Sequence, residues 1–577
     1  MKIQTYRLLT QLGVAALLLL SAGTASAQKS SHWGSNVSSD LGSEVDNALQ
    51  QGKTAWVDVL VQFKTPPTKA ELQKLGPYGQ LKQEFSSIPA INLQMPPAAL
   101  KLLQQEPNIR YISPNRMLVG SLDVVSATVL APSAWNQGLD GAGIGVAVID
   151  SGVTLRDDLE ASNSLASRIV YSESFVSGQD ASDQYGHGTH VAGIVGSDAA
   201  DSTGLGFTRS FKGIAPKANI INLRVLDQKG MGLESNVIAA IQRAIELKDL
   251  YNIRVINLSL GRPVFETYAL DPLCQAAEAA WKAGIVVVAA AGNYGRDNSA
   301  GTHGYGTIVS PGNDPYVITV GATVTKGTPW RFDDSLASYS SKGPTAIDHF
   351  VKPDLVAPGN LVVSLLSSPA ATLFAYSSTQ VPYSYYENPA PAGISTNYYR
   401  LSGTSMATPV VSGAAALLLE QDSTLTPDQV KARLMKAAGK VLPLYSTSCD
   451  LVYNICYPLQ SDIFAVGAGY LNISAALADS ERASLPALSP VAVYNASSGK
   501  VTIVRNFSVA WGDSVAWGDV ALYGTAAFAG TLNGQSMVWG DSMVWGDSLV
   551  SGFSMVWGDS VLASGSLQAF SSADGDQ

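Results

Sequence analysis

At 577 residues, 46% of them hydrophobic and 14% charged, the chain reads as a folded, multidomain protein and not as a disordered one. Its net charge of −10 excludes the basic surface that a nucleic-acid binder needs. Three cysteines are too few for a disulfide scaffold, and no Cys/His group has metal-ligand spacing.

Residues 1–27 read as a secretory signal. Lys2 and Arg7 give the positive start, Leu12–Leu20 the apolar core, and Ala25-Ser26-Ala27 the small-residue cleavage site. The core is short for a membrane span of about 20 residues, so export with removal is expected over a retained anchor. No membrane span is expected after that removal. Residues 28–53 are polar and Ser-rich and are expected to form a linker. A small α+β unit follows over 54–120. Strands are predicted at Trp56–Phe63, Ala90–Gln94 and Ile109–Ile112, and helices at Thr68–Leu75 and Ala98–Glu106. From Leu118 to Val125 the chain is expected to be extended and accessible.

Strands then alternate with helices. Gly145–Ile149 reads as a buried parallel strand, with Asp150 at its C-terminal end. Catalytic groups gather at that edge of an open parallel sheet. Further strands are predicted at Asn219–Val225, Val255–Leu260, Ile285–Ala290 and Val317–Val320, with helices at Val237–Leu247 and Asp271–Ala283. This pattern predicts an α/β fold with a doubly wound sheet.

Three stretches carry chemistry. Tyr185-Gly-His-Gly-Thr-His-Val-Ala-Gly193 holds His187, 37 residues after Asp150, and His190 three residues on. That His spacing hints at a metal, but no glutamate intervenes and the glycines favour tight packing. Val286–Asn293 is a strand ending in Asn293, which is either a turn residue or an amide donor for a developing oxyanion. Leu401–Pro409 holds Ser405 before the apolar run Val410–Leu419. A serine at the mouth of a buried helix gains exposed backbone N–H groups and a positive dipole end. Its hydroxyl needs a base, and the base needs a carboxylate. Thr426-Pro427 marks a further helix start. Cys449 and Cys456 close a short loop and can pair in an oxidising compartment, which leaves Cys274 as a buried thiol.

Together Val-Ile-Asp150-Ser-Gly, Gly-His187-Gly-Thr-His, Ala-Ala-Gly-Asn293 and Gly-Thr-Ser405-Met-Ala-Thr-Pro resemble the subtilisin-like serine peptidase (subtilase) family, in that family's order Asp, His, Ser. The resemblance spans residues 121–478. It implies a mostly parallel subtilisin-like sheet and a secreted, monomeric serine endopeptidase acting on proteins and peptides through an acyl-enzyme. By motif match Ser405 is the nucleophile, His187 the base, Asp150 its orienter and Asn293 the oxyanion donor. The family binds substrate as an added strand. The matching edges are Gly230 and Gly232 on one side and Ser259, Leu260 and Gly261 on the other. Ala290 and Gly292 wall the pocket for the residue before the scissile bond. Val309 stands where the family's pocket floor has glycine, which implies a shortened pocket. Residues 54–120 resemble the family's inhibitory propeptide, whose new C-terminus lies in the cleft after cleavage. No cofactor is required for the chemistry. A structural calcium is possible, with Asp158 resembling one ligand. Activity is expected to fall in acid, because the histidine base must be neutral.

Two features depart from the family. Between Gly359 and Arg400 about 20 extra residues bring six tyrosines, either extending the leaving-side surface or packing as a surface excursion. Residues 479–577 form a tail in which Trp-Gly-Asp recurs at Trp511, Trp517, Trp539, Trp545 and Trp557. A six-residue step aligns the tryptophans on one face of an extended chain or β-solenoid, and a flexible low-complexity tail is the plainer reading. A catalytically silent relative would have lost one of the four motif residues. A serine esterase would order them Ser, Asp, His. The chain shows neither.

Overall fold

The computed structural model describes residues 33–34, 36–50, 56–85, 88–114, 121–122, 124–160, 166–299, 301–450, 455–495, 500–504, 531–532, 566–569 and 576. The chain divides into two units, Met1–Val119 and Gly120–Gln577. The expected signal segment and the five Trp-Gly-Asp copies lie outside the described residues.

The first unit is built on a four-stranded antiparallel sheet in the order Gln80–Phe85, Ala90–Met95, Val57–Phe63, Ile109–Pro114. Val57, Val59, Val61 and Phe63 are buried while Asp58 and Gln62 are exposed, the alternation of a half-buried strand. Thr68 caps the helix Lys69–Lys74 in a reciprocal box with Glu71. The helix expected at 98–106 is shorter, a 3-10 turn at Pro97–Ala99 followed by Leu100–Leu103. Gln80–Phe85 escaped prediction because it is an exposed, polar edge strand. The expected linker is corrected too. Ser39–Gln50 is a helix, because Leu41 and Val45, one turn apart, bury into the same core as Trp33 and Val37.

The second unit is organised by an eight-stranded sheet. Its strands are β1 Gly145–Asp150, β2 Ile169–Ser174, β3 Asn219–Arg224, β4 Ile253–Leu258, β5 Val286–Ala290, β6 Ile318–Val324, β7 Ser335–Leu336 and β8 Leu355–Pro358. The order is β7-β6-β5-β4-β1-β3-β2, with β8 also on β6. All pairs are parallel except β6–β7. β1 sits centrally and is fully buried, so its C-terminal Asp150 reaches the sheet edge inside the core. Its longer helices are α1 His187–Gly196, α2 Glu234–Leu247, α3 Pro272–Lys282, α4 Thr404–Gln421 and α5 Pro427–Lys436. Asp271 caps α3 ahead of Pro272, and Thr426 caps α5 in a box with Gln429. α4 is buried from Thr404 to Leu419 and packs on α1, β4, β5, β6 and β8. A helix apolar on all sides belongs in the interior.

Two further expectations change, and for the insertion the structure shows one of the two stated readings. Val124–Thr128 is a short helix with Val124 and Val125 buried, and among the described residues of that junction Ser121–Leu122 form a two-residue strand. The second unit does not end at 478. Ala487, Ala492 and Ile503 join its core, and Val491–Asn495 pairs with Lys500–Val504. The tyrosine-rich insertion is packed. Val362–Leu365, Ile394–Leu401 and Gln380–Pro382 form a small sheet, and Tyr386, Tyr398 and Tyr399 are fully buried, with Phe211 against Tyr386 and Tyr398. Cys449 and Cys456 form a disulfide across the hairpin Tyr445–Asp450 and Ile455–Gln460, and Cys274 is a buried free thiol. Among the described residues no helix is long and apolar enough to cross a membrane.

Candidate active site

Asp150 and His187 are brought together by the sheet edge and the start of α1. His187 Nδ1 donates to Asp150 Oδ1 at 2.7 Å, and both side chains are fully buried. The Ser151 N–H gives the same oxygen a second hydrogen bond at 2.7 Å. A carboxylate held this way fixes the imidazole tautomer and directs Nε2 outward. His187 Nε2 is buried and takes no partner among the described residues.

Asp183, which the sequence did not single out, builds the N-terminus of α1. Its carboxylate accepts from the Gly186 and Thr189 N–H groups at 2.7 and 2.8 Å and from Ser151 Oγ at 2.8 Å. Ser151 Oγ in turn accepts from the Gly188 N–H at 2.9 Å. Burial raises the Asp183 carboxyl above its ordinary range. Only a polar Ser-Asp-Gln-Tyr run precedes the histidine, so no local signal marked it. Gly188 has a plainer cause: a Cβ there would fall 2.2 Å from the Gly152 carbonyl.

Ser405 lies in the first turn of α4. Its Oγ donates to the Ser259 carbonyl at 2.8 Å and makes no hydrogen bond to His187 in this structure. Pro409, four residues on, lacks the N–H that would bond the Ser405 carbonyl. Ser259 Oγ takes that place at 2.9 Å. Asn257 Nδ2 donates to Ser259 Oγ at 2.9 Å, and Ser412 Oγ to Asn257 Oδ1 at 2.8 Å. Asn293, after β5, accepts from the Thr404 N–H and Thr404 Oγ1 on its Oδ1, each at 3.0 Å. With the carbonyl end held by α4, the amide NH2 is the free end of the side chain. Thr404, adjacent to Ser405, is therefore a positioning residue that the motif contained but the sequence reading passed over.

The predicted groove edges are real strands. Met231–Leu233 carries Gly232 and follows Gly230, and Leu260–Gly261 follows Ser259. Ser566–Ala569 lies between them, antiparallel to both. Val309 is buried against Ala290, with Tyr294 packed beside them. A Cβ at Gly292 would fall 2.8 Å from Val309 Cγ1, and its φ of +106° is itself a glycine conformation. Val309 thus fills the space directly over Gly292.

His190 does not join the site chemistry. Its Nε2 donates to the Val362 carbonyl at 3.0 Å, and Tyr399 packs edge-on at 5.1 Å. Burial pushes its pKa down to about 3. Asp158 fits a calcium ligand poorly. Oδ1 accepts from the Asp201 N–H at 2.8 Å, and Oδ2 from Ser197 Oγ and Tyr398 OH, each at 2.7 Å. Burial raises its pKa to about 6. Both oxygens are committed to protein donors, and among the described residues no group of three His, Cys, Asp or Glu is arranged to hold a metal.

Comparison with known proteins shows the family. Residues 141–450 match the family model described as Peptidase_S8, the Subtilase family. The chain is 35% identical over 404 residues to "Serine protease AprX" of Bacillus subtilis (strain 168), covering 67% of this chain and 83% of that protein. It is 32% identical over 364 residues to "Subtilisin E" of the same strain, covering 62% of this chain and 78% of that protein. A solved structure, "Crystal structure of a cold adapted subtilisin-like serine proteinase", is 30% identical with a TM-score of 0.37, covering 52% of this chain and 84% of that one. The chain belongs to the subtilase family and is a serine endopeptidase.

Proposed function

We propose that the chain is exported as a self-inhibited precursor and hydrolyses peptide bonds with Ser405 as nucleophile. The buried 2.7 Å bond from His187 to Asp150, with Nε2 unpartnered, carries this reading. A rotation about the Ser405 Cα–Cβ bond releases Oγ from the Ser259 carbonyl and offers its proton to His187 Nε2. Oγ then attacks the substrate carbonyl, and His187 passes the proton to the leaving amine. Asp150 stabilises the imidazolium. The Asn293 amide and backbone N–H groups of the α4 N-terminus receive the oxyanion. Water repeats the sequence on the acyl-enzyme. These steps run on protein side chains, and a calcium ion at Asp158 is not part of the proposal.

Residues 54–114 act in this reading as the folded core of the inhibitory propeptide, extended at the N-terminal side by the helix Ser39–Gln50. The cut falls before Val124, since that residue begins a buried helix. Export rests on the 1–27 signal pattern. The Val309 side chain favours small residues next to the scissile bond.

The test compares wild type with Ser405→Ala from one secreting host. Wild type is expected to lose residues 1–27, to be cut before Val124 and to hydrolyse casein. Ser405→Ala is expected to stay joined and to lose activity by about 10⁶, the loss subtilisin itself shows for its serine. Equal casein hydrolysis by both proteins would refute the role of Ser405. Identical cutting of both would refute self-processing alone.

A further inference from the structure

The two strands that the sequence assigns to substrate already hold a strand of the same chain. Ser566–Ala569 is the middle member of a three-stranded sheet. On one side Gln568 pairs with Met231, Leu567 with Gly232 and Ser566 with Leu233. On the other, Gln568 pairs with Gly261 and Ala569 with Leu260. The polarity is informative. As the segment runs from Gln568 to Ala569, its partner runs from Gly261 to Leu260, toward Ser259. The Ser259 carbonyl holds Ser405 Oγ at 2.8 Å. A bound peptide whose acyl side leads toward the nucleophile has this direction and this double pairing.

A second, independent contact fixes the same terminus. Asp576 is fully buried. Its Oδ1 accepts from Ser338 Oγ and from Arg296 Nη2, each at 2.7 Å. Its main-chain N–H donates to Asn360 Oδ1, and its carbonyl accepts from Asn360 Nδ2, both at 2.7 Å. Arg296 also pairs with Asp450, beside the disulfide-closed hairpin, and Asp450 forms a β-bridge with Asp576. A buried carboxylate with a full set of donors is a built socket and not a chance surface contact. The terminus is thus held at the groove and again in the socket.

We propose that Ser566–Ala569 is a built-in substrate strand that fills the acyl-side groove, with Asp576 as its lock, so that the C-terminal tail holds the peptidase off. This deepens the reading of the groove given above and rests on it, and it puts the tail strand in the place where the family resemblance implies the propeptide's new C-terminus. The Trp-Gly-Asp segment precedes this strand in the chain and joins it covalently to the peptidase unit. A strand of the same chain competes with substrate intramolecularly and is not diluted away, so weak main-chain pairing is enough to exclude dilute substrate. Displacement of the tail strand by a tight substrate, or its proteolytic removal, opens the groove.

The test uses the full chain carrying Ser405→Ala, which cannot process itself under the proposed mechanism. Amide hydrogen exchange is read at Met231–Leu233 and Leu260–Gly261, with and without Leu567→Pro. Proline has no N–H and is not tolerated in the middle strand of a sheet. Exchange in the β1 segment Gly145–Ile149 reports whether the fold is intact. Exchange at both edges is expected to quicken tenfold or more in Leu567→Pro while β1 is unchanged. Asp576→Ala, which leaves the strand sequence whole, is expected to quicken both edges to a smaller extent. Edge protection that survives both variants would overturn the proposal and assign the groove to another segment. Casein hydrolysis is scored separately in Leu567→Pro with Ser405 intact, where the groove is open: its absence refutes the peptidase reading, and its presence with unchanged edge exchange refutes the tail strand alone.

Discussion

Replacing Val309 by glycine should convert the substrate preference next to the scissile bond. Val309 is fully buried, and its two methyls lie 2.8 and 3.3 Å from where a Cβ on Gly292 would sit. Gly292 and Ala290 are the predicted walls of that pocket, so the valine occupies volume that a bound side chain would otherwise enter. The substitution removes three carbons. At about 0.8 kcal/mol per buried carbon, the space returned is worth about 2.4 kcal/mol to a ring that fills it. That corresponds to roughly a 50-fold rise in kcat/KM for phenylalanine relative to alanine at this subsite.

The assay is a panel of chromogenic peptides differing only at that residue. The ratio of kcat/KM for Phe over Ala is read within each enzyme, so the fraction of active protein cancels. This matters because emptying a buried site costs roughly 2–5 kcal/mol of stability. Wild type is expected to favour small side chains and Val309→Gly to favour Phe. A wild type that already prefers Phe or Tyr, or a ratio that does not move in the variant, would show that Val309 does not floor the pocket.

Asn293→Ala should lower kcat by about 10²–10³ with little change in KM, the range subtilisin itself shows for its oxyanion asparagine, and an unchanged kcat would remove Asn293 from the mechanism. His190 should make the fold acid-sensitive. Its folded pKa of about 3 lies below the unfolded value near 6.5, so below pH 6.5 the unfolded chain takes a proton that the folded chain refuses. Stability should therefore fall by roughly 1.6 kcal/mol between pH 6.5 and 5 from this residue alone. Asp158 and Asp462, each raised to about 6 by burial, act in the opposite sense, gaining stability in acid, and cancel when variants are compared. Urea unfolding of Ser405→Ala with and without His190→Gln checks this: the second variant should start less stable but lack that slope, and equal slopes would refute the argument.

The chemistry was easier to read than the scaffold around it. Asp150, His187, Asn293 and Ser405 are each embedded in small residues, because backbone must approach closely there, and that crowding writes a local pattern. Gly188 against the Gly152 carbonyl is one such approach. β1 was legible because a central strand is apolar throughout. β2 was not, because it is half-buried at the sheet edge, and β8 was missed because it is four residues long and ends in proline. The helix Ser39–Gln50 was hidden by the many serines and acids in its sequence, although the buried Leu41 and Val45 tie it to the core. Asp183 and Thr404 act through hydrogen bonds to residues that the motifs do name. Ser566–Ala569 had no signal at all. Its partners come from distant parts of the chain, and four residues are too few to show a period.

The strand that docks in the groove and the serine that attacks belong to one hydrogen-bonded body. Ser259 gives its carbonyl to Ser405 Oγ and its hydroxyl to the Ser405 carbonyl left open by Pro409. Asn257 ties that hydroxyl to β4, and Ser412 ties Asn257 back to α4. Leu260–Gly261, the next two residues, carry the groove edge. A peptide that pairs with that edge is thereby registered against Ser405 through backbone alone, without reliance on its side chains. Since a displacement of about 1 Å at the reacting centre costs roughly 10²-fold in rate, this coupling keeps the paired edge and Ser405 in a fixed relation. It also explains why a segment of the protein's own tail fits: any unlocked strand with free main-chain groups meets the groove's requirement, and the proposed preference for the tail over foreign chains rests on its covalent connection and on the Asp576 socket.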